Sequence, residues 1–204
     1  MSLARLLQLA SPTLPVGAYS YSQGLESAID AGHVKDASTA QEWIGDVLEF
    51  SVARMEAQAL RAMIGEMSAA RRQELNDFFV ATRETAELRA ETLQMGASLA
   101  KLFDEVSIEN PAYPTAFALA VRRWEIDPRQ AVVAYLWSWL ENQVMAAVKA
   151  VPLGQTAGQK ILLELGARLE SIPELPEEAW SNFAPGLAYL SSRHETQYSR
   201  LFRS

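Results

Sequence analysis

The 204-residue sequence contains no cysteine and only two histidines, His33 and His194. Without cysteine there can be no disulfide, no thiolate metal ligand and no thiol nucleophile. Two imidazoles in one chain are too few for a tight site for a soft metal. The sequence therefore excludes a disulfide scaffold, and it predicts neither a resident metal nor a bound cofactor.

Positive charge is also scarce, with 18 Lys and Arg against 25 Asp and Glu and a net charge of -7. This balance argues against nucleic-acid binding, and a DNA-binding regulator would need a basic recognition helix that the sequence lacks. The longest uncharged stretch, residues 6–25, is interrupted by Pro12, Pro15 and Gly17. We therefore expect neither a membrane span nor a signal peptide, and we expect the protein in the cytoplasm.

Three stretches match the start of a known nucleotide-binding or catalytic motif, but none of them completes it. Residues 154–160 (GQTAGQK) fail the spacing of a phosphate-binding loop, and residues 194–198 (HETQY) have tyrosine where a zinc protease helix needs its second histidine. Residues 96–100 (GASLA) depart from the nucleophile elbow at the last position. The sequence therefore assigns no catalytic residue, and we expect a protein that is not an enzyme.

Apolar residues recur instead at the three- and four-residue steps of a helix face. The clearest case begins with Asp127 as N-cap and Pro128 as first helical residue, and it ends before Pro152. Its apolar positions include Val132, Leu136, Trp137, Leu140 and Val144. A helix that is apolar nearly all round is usually buried, so we predict a central helix with Trp137 in the core.

The rest of the chain also favours helices. No stretch alternates like a strand, so we predict an all-α fold: one domain, residues 1–204, that forms a helical bundle packed around the central buried helix. Further helices are expected near residues 3–7, 25–32, from a capping box at Ser38–Gln41 to about Ile64, from Ser68 to about Phe103 as one helix or a broken pair, 115–124 and 156–169. After a connector marked by Pro173, Pro176 and Pro185, residues 186–204 are expected to form a last helix with Leu187, Leu190, His194, Tyr198 and Leu201 on one face.

Three stretches have compositions typical of binding surfaces. The run Tyr19–Ser22 follows a proline- and glycine-containing loop, and Gly154–Gln159 follows the central helix. The end of the chain combines Arg193, Arg200 and Arg203 with Tyr198, Leu201 and Phe202 in an otherwise acidic protein. This segment either docks in a partner through apolar anchors and an arginine rim, or packs on its own core.

These same stretches resemble the UreF family of urease accessory proteins. The resemblance is carried by residues 9–26 (LASPTLPVGAYSYSQGLE), 151–159 (VPLGQTAGQ) and 191–204 (SSRHETQYSRLFRS), with support from 83–89 (RETAELR) and 94–96 (QMG). The motifs follow the family's order over nearly the whole chain.

The resemblance implies an all-α, non-catalytic protein that joins the accessory protein UreD (UreH in some organisms) and the GTPase UreG on the urease apoprotein. Such an assembly delivers nickel to the urease active site, and the family is thought to modulate the GTPase and to form homodimers within the complex. Carried onto this sequence by motif, the partner-binding residues are Tyr19, Ser22, Gln23, Glu26, Pro152, Gly154, Gln155, Gln159, Arg193, His194, Tyr198, Arg200, Leu201 and Phe202. Residues 186–204 would be the partner-docking helix.

A different class of function stays open beside this one. A helical-bundle enzyme or small-ligand binder could use a pocket lined by Trp43, Trp124, Trp137 and Trp139. A deep polar pocket with perturbed carboxylates would favour this alternative. A flat apolar surface near the end of the chain and a self-complementary dimer would favour a scaffold.

Overall fold

The computed structural model describes residues 3–104, 107–174 and 180–204, and within these ranges no residue forms a β-strand. The predicted all-α fold is therefore confirmed. The helices are α1 (Leu3–Leu9), α2 (Leu25–Asp30), α3 (Ala37–Val47), α4 (Ala57–Gly65), α5 (Ala69–Ala81), α6 (Ala86–Leu102), α7 (Tyr113–Arg123), α8 (Pro128–Ala150), α9 (Gln155–Gly166) and α10 (Pro185–His194). A π-helix, Leu48–Glu56, joins α3 to α4, and 3₁₀ turns occupy Ala18–Ser20 and Leu169–Glu174. No helix in the described ranges is long and apolar enough to span a bilayer.

Helix α8 is the central element, as predicted. Asp127 caps it by accepting a hydrogen bond from the Gln130 N–H at 2.9 Å, and Pro128 is its first residue. Its buried face packs against α9, α4, α1, α2 and α3. Leu136, Leu140 and Val144 are at most 1% exposed, so the helix supplies the middle of the hydrophobic core.

The predicted core position of Trp137 is wrong. Its side chain is 37% exposed and lies over Gly166 of α9, whereas Trp139 is only 8% exposed and takes the inward position. Because α8 carries apolar residues nearly all round, the helical period did not identify which tryptophan faces the core. The buried direction is set by the neighbouring helices.

The segment from Ala37 to Gly65 is one continuous rod, but its start differs from the prediction. Asp36, not Ser38, is the N-cap: its carboxylate accepts from the Thr39 N–H at 2.9 Å, and the Thr39 hydroxyl accepts from the Asp36 N–H at 3.1 Å. In the middle of the rod the nine-residue π-helix changes the pitch. A π-helix is wider than an α-helix and often marks a functional site. Here it ends at Glu56, which is buried in the domain.

Helices α6 and α7 come into unusually close contact. A Cβ on Gly96 would lie 1.9 Å from the carbonyl oxygen of Pro111 and 2.6 Å from the carbonyl carbon of Ala112, so only glycine fits. Gly96 is therefore a point at which the two segments approach each other closely. The helical region after Ser68 is a broken pair, with a new N-cap at Thr85 whose hydroxyl accepts from the Leu88 N–H at 3.2 Å.

The last segment is not the continuous helix that the sequence predicted. Helix α10 ends at His194, and the chain then turns back along the domain. Tyr198 is fully exposed and Leu201 is 60% exposed, while Phe202 is buried, so the predicted common face does not form. Of the predicted proline connector, Pro173 lies in a 3₁₀ turn and Pro185 starts α10, whereas Pro176 lies outside the described residues.

Candidate functional site

The N-terminal and C-terminal stretches meet beside α6. Gly17 and Gly24 have φ of 80° and 78°, a left-handed conformation that turns the chain from the proline-containing loop into α2. A Cβ on Gly24 would come within 3.3 Å of the Ser191 backbone nitrogen in α10. This close approach brings Ser22, Gln23 and Glu26 next to the end of the chain.

Residues 200–204 pair with this N-terminal stretch through backbone hydrogen bonds. The carbonyl oxygen of Ser204 accepts from the N–H groups of Ser22 at 2.8 Å and Gln23 at 3.1 Å. The Glu26 carboxylate accepts from the N–H groups of Leu201 at 2.6 Å and Phe202 at 2.9 Å. We call this arrangement, together with Glu87 and His194, the clasp. It replaces the helical hydrogen bonds that the segment after His194 would otherwise make.

His194 joins the clasp to α6 and is completely buried. Its Nε2 lies 3.2 Å from Glu26 Oε2, and its Nδ1 lies 2.7 Å from Glu87 Oε2. Arg200 adds a bond from Nη1 to Glu87 Oε1 at 2.7 Å. The two ring nitrogens of His194 therefore connect Glu26 of α2 to Glu87 of α6.

A cavity of about 260 Å³ lies beneath the clasp, between the N-terminal loop, the end of the π-helix, α6, α7 and α8. Its floor holds an ion pair between Arg83 Nη1 and Glu56 Oε1 at 2.9 Å, with both side chains less than 10% exposed. The Tyr135 hydroxyl donates to Glu56 Oε2 at 2.6 Å. Burial raises the pKa of Tyr135 well above its ordinary value, with the Glu56 charge adding to the effect, so this tyrosine remains a donor.

Glu91 connects the cavity to the clasp. Its carboxylate accepts from Gln23 Nε2 at 2.7 Å and from the Ser204 hydroxyl at 2.8 Å, and Gln23 Oε1 in turn accepts from Trp139 Nε1 at 2.7 Å. Burial raises the pKa of Glu91 to about 7, although the hydrogen bonds from Gln23 and Ser204 act in the opposite direction. A rearrangement of either Gln23 or Ser204 therefore changes the surroundings of a carboxyl that titrates near neutrality.

The structure divides the predicted partner-binding residues into two places. Those of the N-terminal stretch and the end of the chain lie together in or beside the clasp. Among them the buried side chains are Ser22, Glu26, His194 and Phe202, Gln23 is partly buried, and the exposed ones are Tyr19, Arg193, Tyr198, Arg200 and Leu201. The other place is the α8–α9 junction, where the exposed residues are Pro152, Gly154, Gln155 and Gln159. Lys149 at the end of α8 links this separate surface to the clasp, since its Nζ lies 4.7 Å from the centre of the Phe202 ring.

Sequence reasoning missed the acidic residues of the cavity, chiefly Glu56 and Glu91, and also Glu87 of the clasp. A signal was present, because Glu91 stands three residues after Leu88 and four before Met95, on a face that is otherwise apolar. The alternative pocket of four tryptophans does not form: only Trp139 lines the cavity, and Trp124 lies elsewhere, against Phe103. Among the described residues no cluster of His, Asp and Glu could hold a metal ion.

Comparison with known proteins shows the family of this chain. The sequence model of the UreF family matches residues 34–166. The chain is 53% identical to the urease accessory protein UreF of Azoarcus sp., over 100% of its own length and 96% of that protein. It is 49% identical to UreF of Dechloromonas aromatica and 48% identical to UreF of Methylobacillus flagellatus, in each case over 100% of this chain and 98% of the relative. Family match and full-length identity together show that this chain belongs to the UreF family of urease accessory proteins.

Proposed function

We propose that the protein is a non-catalytic scaffold in the cytoplasm that supports urease maturation. In this proposal it joins the UreD/UreH accessory protein and the GTPase UreG on the urease apoprotein, modulates the GTPase, and so promotes insertion of nickel into the urease active site. Nickel is the cargo of the assembly. Family membership supports the maturation role.

One structural observation carries the scaffold proposal: the clasp fixes the end of the chain so that unpaired apolar groups face outward. Tyr198 is fully exposed and Leu201 is 60% exposed, although both flank the buried hydrogen bonds of Glu26 and His194. Side chains that are exposed on a fixed backbone suit a preorganised interface, because binding then costs less ordering entropy. Arginine and aromatic anchors dominate many interfaces.

The buried and exposed members of the predicted set have different roles in this proposal. Ser22, Gln23, Glu26, His194 and Phe202 position the end of the chain. The exposed residues Tyr19, Arg193, Tyr198, Arg200 and Leu201 contact the partner, so that residues 186–204 are a docking segment of a single domain. The separate surface of Pro152, Gly154, Gln155 and Gln159 is free to contact a second partner. A second copy of the chain is a further proposed partner within the assembly.

A double substitution of exposed residues tests the proposal. We expect Tyr198→Ala with Leu201→Ala to reduce both co-purification with the UreD-type partner and urease activation in cells, with an unchanged melting temperature. Leu163→Ala in α9, a side chain that is 75% exposed, is the matched control and should behave like the parent. If the double variant binds and activates normally, this surface is not the docking site.

Ligand binding remains a second candidate because of one specific observation. The cavity is lined in part by the buried side chains of Glu56 and Arg83, and burial raises the pKa of Glu91 to about 7. Such a pocket was the feature expected of a small-ligand binder. Equilibrium dialysis against a panel of small metabolites, with cavity variants as controls, tests this candidate separately from urease activation.

A further inference from the structure

We propose that the cavity beneath the clasp receives a basic side chain, arginine or lysine, from a protein partner. The inference rests on the proposed scaffold function and adds to it a specific anchoring pocket. It concerns the interior of the domain, whereas the exposed residues of the clasp form a separate contact.

The charges that line the cavity are unbalanced. Glu56, Glu91 and Glu141 face a single guanidinium, that of Arg83, and Arg83 is already paired with Glu56. Within the described ranges no cationic group lies within ion-pair distance of Glu91, whose hydrogen bonds come from a neutral amide and a hydroxyl. A buried carboxylate without a cation is costly to keep ionised. A cation that enters the cavity would stabilise the ionised form of the Glu91 carboxyl. The site therefore favours a positively charged group.

Aromatic side chains complete a site of this kind. Tyr19, Tyr113, Tyr135 and Trp139 line the same cavity. Ring faces attract a guanidinium or ammonium group, and the attraction grows when the site is desolvated. Carboxylates with aromatic rings select an organic cation over an anion or an apolar group. A bare metal ion fits less well, because no group of metal-binding side chains gathers in the described part of the chain.

The mouth of the cavity indicates a protein rather than a free solute. The exposed lining residues are Pro12, Tyr19 and Met145, with Tyr19 74% and Met145 46% exposed. Contacts that surround an interface anchor exclude water once the partner is in place, and these three exposed side chains can make such contacts. The volume of about 260 Å³ would hold roughly nine waters at about 30 Å³ each, so it can accommodate one long side chain.

The test removes the charge of Glu91 and keeps its shape. Purified UreD-type partner and purified UreG are each tested, and we expect Glu91→Gln to bind at least one of them at least tenfold more weakly than the parent chain does. Glu49→Gln, which removes an exposed charge of the π-helix, should bind like the parent. Ethylguanidinium, an analogue of the arginine side chain, should compete with the partner for the parent chain, and uncharged ethylurea should not.

A second variant separates the cavity from the clasp. Ser204→Ala removes the hydroxyl that donates to Glu91, and its partner binding is compared with that of the parent at about pH 9, well above the Glu91 pKa of about 7, so that the carboxylate stays ionised. If this variant weakens binding as much as Glu91→Gln, the effect comes through the end of the chain and the inference is overturned. Normal partner binding by a folded Glu91→Gln variant, or equal competition by ethylurea, would also overturn it. The scaffold proposal fails on a different result, namely a parent chain that neither captures a partner nor supports urease activation.

Discussion

Replacing Glu26 with glutamine tests whether the clasp holds the end of the chain through charge. The carboxylate accepts from two backbone N–H groups, those of Leu201 and Phe202, and it faces Nε2 of His194. Glutamine keeps the size of the side chain and one acceptor oxygen, but it removes the negative charge. The substitution therefore weakens the clasp without leaving a cavity.

The size of the effect follows from the two backbone hydrogen bonds. A hydrogen bond to a charged group contributes about 1.5–3 kcal/mol net, and charge-assisted bonds are roughly twice as strong as neutral ones. Glutamine leaves one of these bonds neutral and loses the other, because the two N–H groups bond to different carboxylate oxygens, so the substitution should cost about 2 kcal/mol or more. Since the end of the chain can detach while the helices stay folded, we expect this cost in local opening rather than in global unfolding. At about 1.4 kcal/mol per factor of ten, opening becomes roughly 30-fold more frequent.

Hydrogen exchange measures this opening directly. The amides of Leu201 and Phe202 should exchange roughly 30-fold faster in Glu26→Gln, trypsin should cleave faster after Arg200, and the melting temperature should change little. Asp30→Asn, an exposed charge removal in the same helix, is the control. Unchanged exchange at both amides would show that the Glu26 charge does not hold the clasp.

Three further predictions follow from the fold and the cavity. Gly96→Ala should destabilise the protein by about 2 kcal/mol or more in chemical denaturation, because its Cβ would collide with backbone, whereas Gly65→Ala, with open space around it, should stay within about 1 kcal/mol of the parent. Trp139→Ala should cost about 3–5 kcal/mol and Trp137→Ala clearly less, since one is buried and the other is 37% exposed; similar melting temperatures for the two variants would contradict this. The raised pKa of Glu91, about 7 against an ordinary 4.5, means that the native state holds this proton more tightly than the unfolded chain. Relative to Glu91→Gln, the parent should therefore be most stable below pH 4.5 and lose up to about 3 kcal/mol as the pH rises through 7, and a pH-independent difference would argue against a buried, titrating carboxyl.

Local signals in the sequence predicted the elements of this fold well. Asp127 and Pro128 mark the start of α8, Ser68 caps α5 through the Arg71 N–H, and Gly96 marks the close approach of α7. Each of these depends on residues within one or two turns or on the absence of a single Cβ. Such interactions depend on residues that are close together in the sequence, so they can be predicted from the sequence alone.

The candidate site depends on contacts between distant residues, which the patterns do not contain. Whether the segment after His194 continues as a helix depends on Glu26, 175 residues before Leu201, which takes its backbone N–H groups. The helices packed against α8 set which of Trp137 and Trp139 faces inward, and the indole N–H of Trp139 donates to Gln23, 116 residues earlier in the chain. The resemblance to a family singled out the two stretches that meet in the clasp, but the cavity beside them forms only in the folded chain.

The π-helix makes the cavity sensitive to helical pitch as well as to residue type. Each of its hydrogen-bonded rings encloses one residue more than an α-helical ring, so everything after Leu48–Glu56 is rotated relative to an uninterrupted α-helix. If this segment relaxed to the α-helical pitch with every residue retained, Glu56 would turn away from Arg83 and Tyr135, although no side chain of the cavity had been altered and the helical content had hardly changed. In this rod the phase of the helix is itself a determinant of the site.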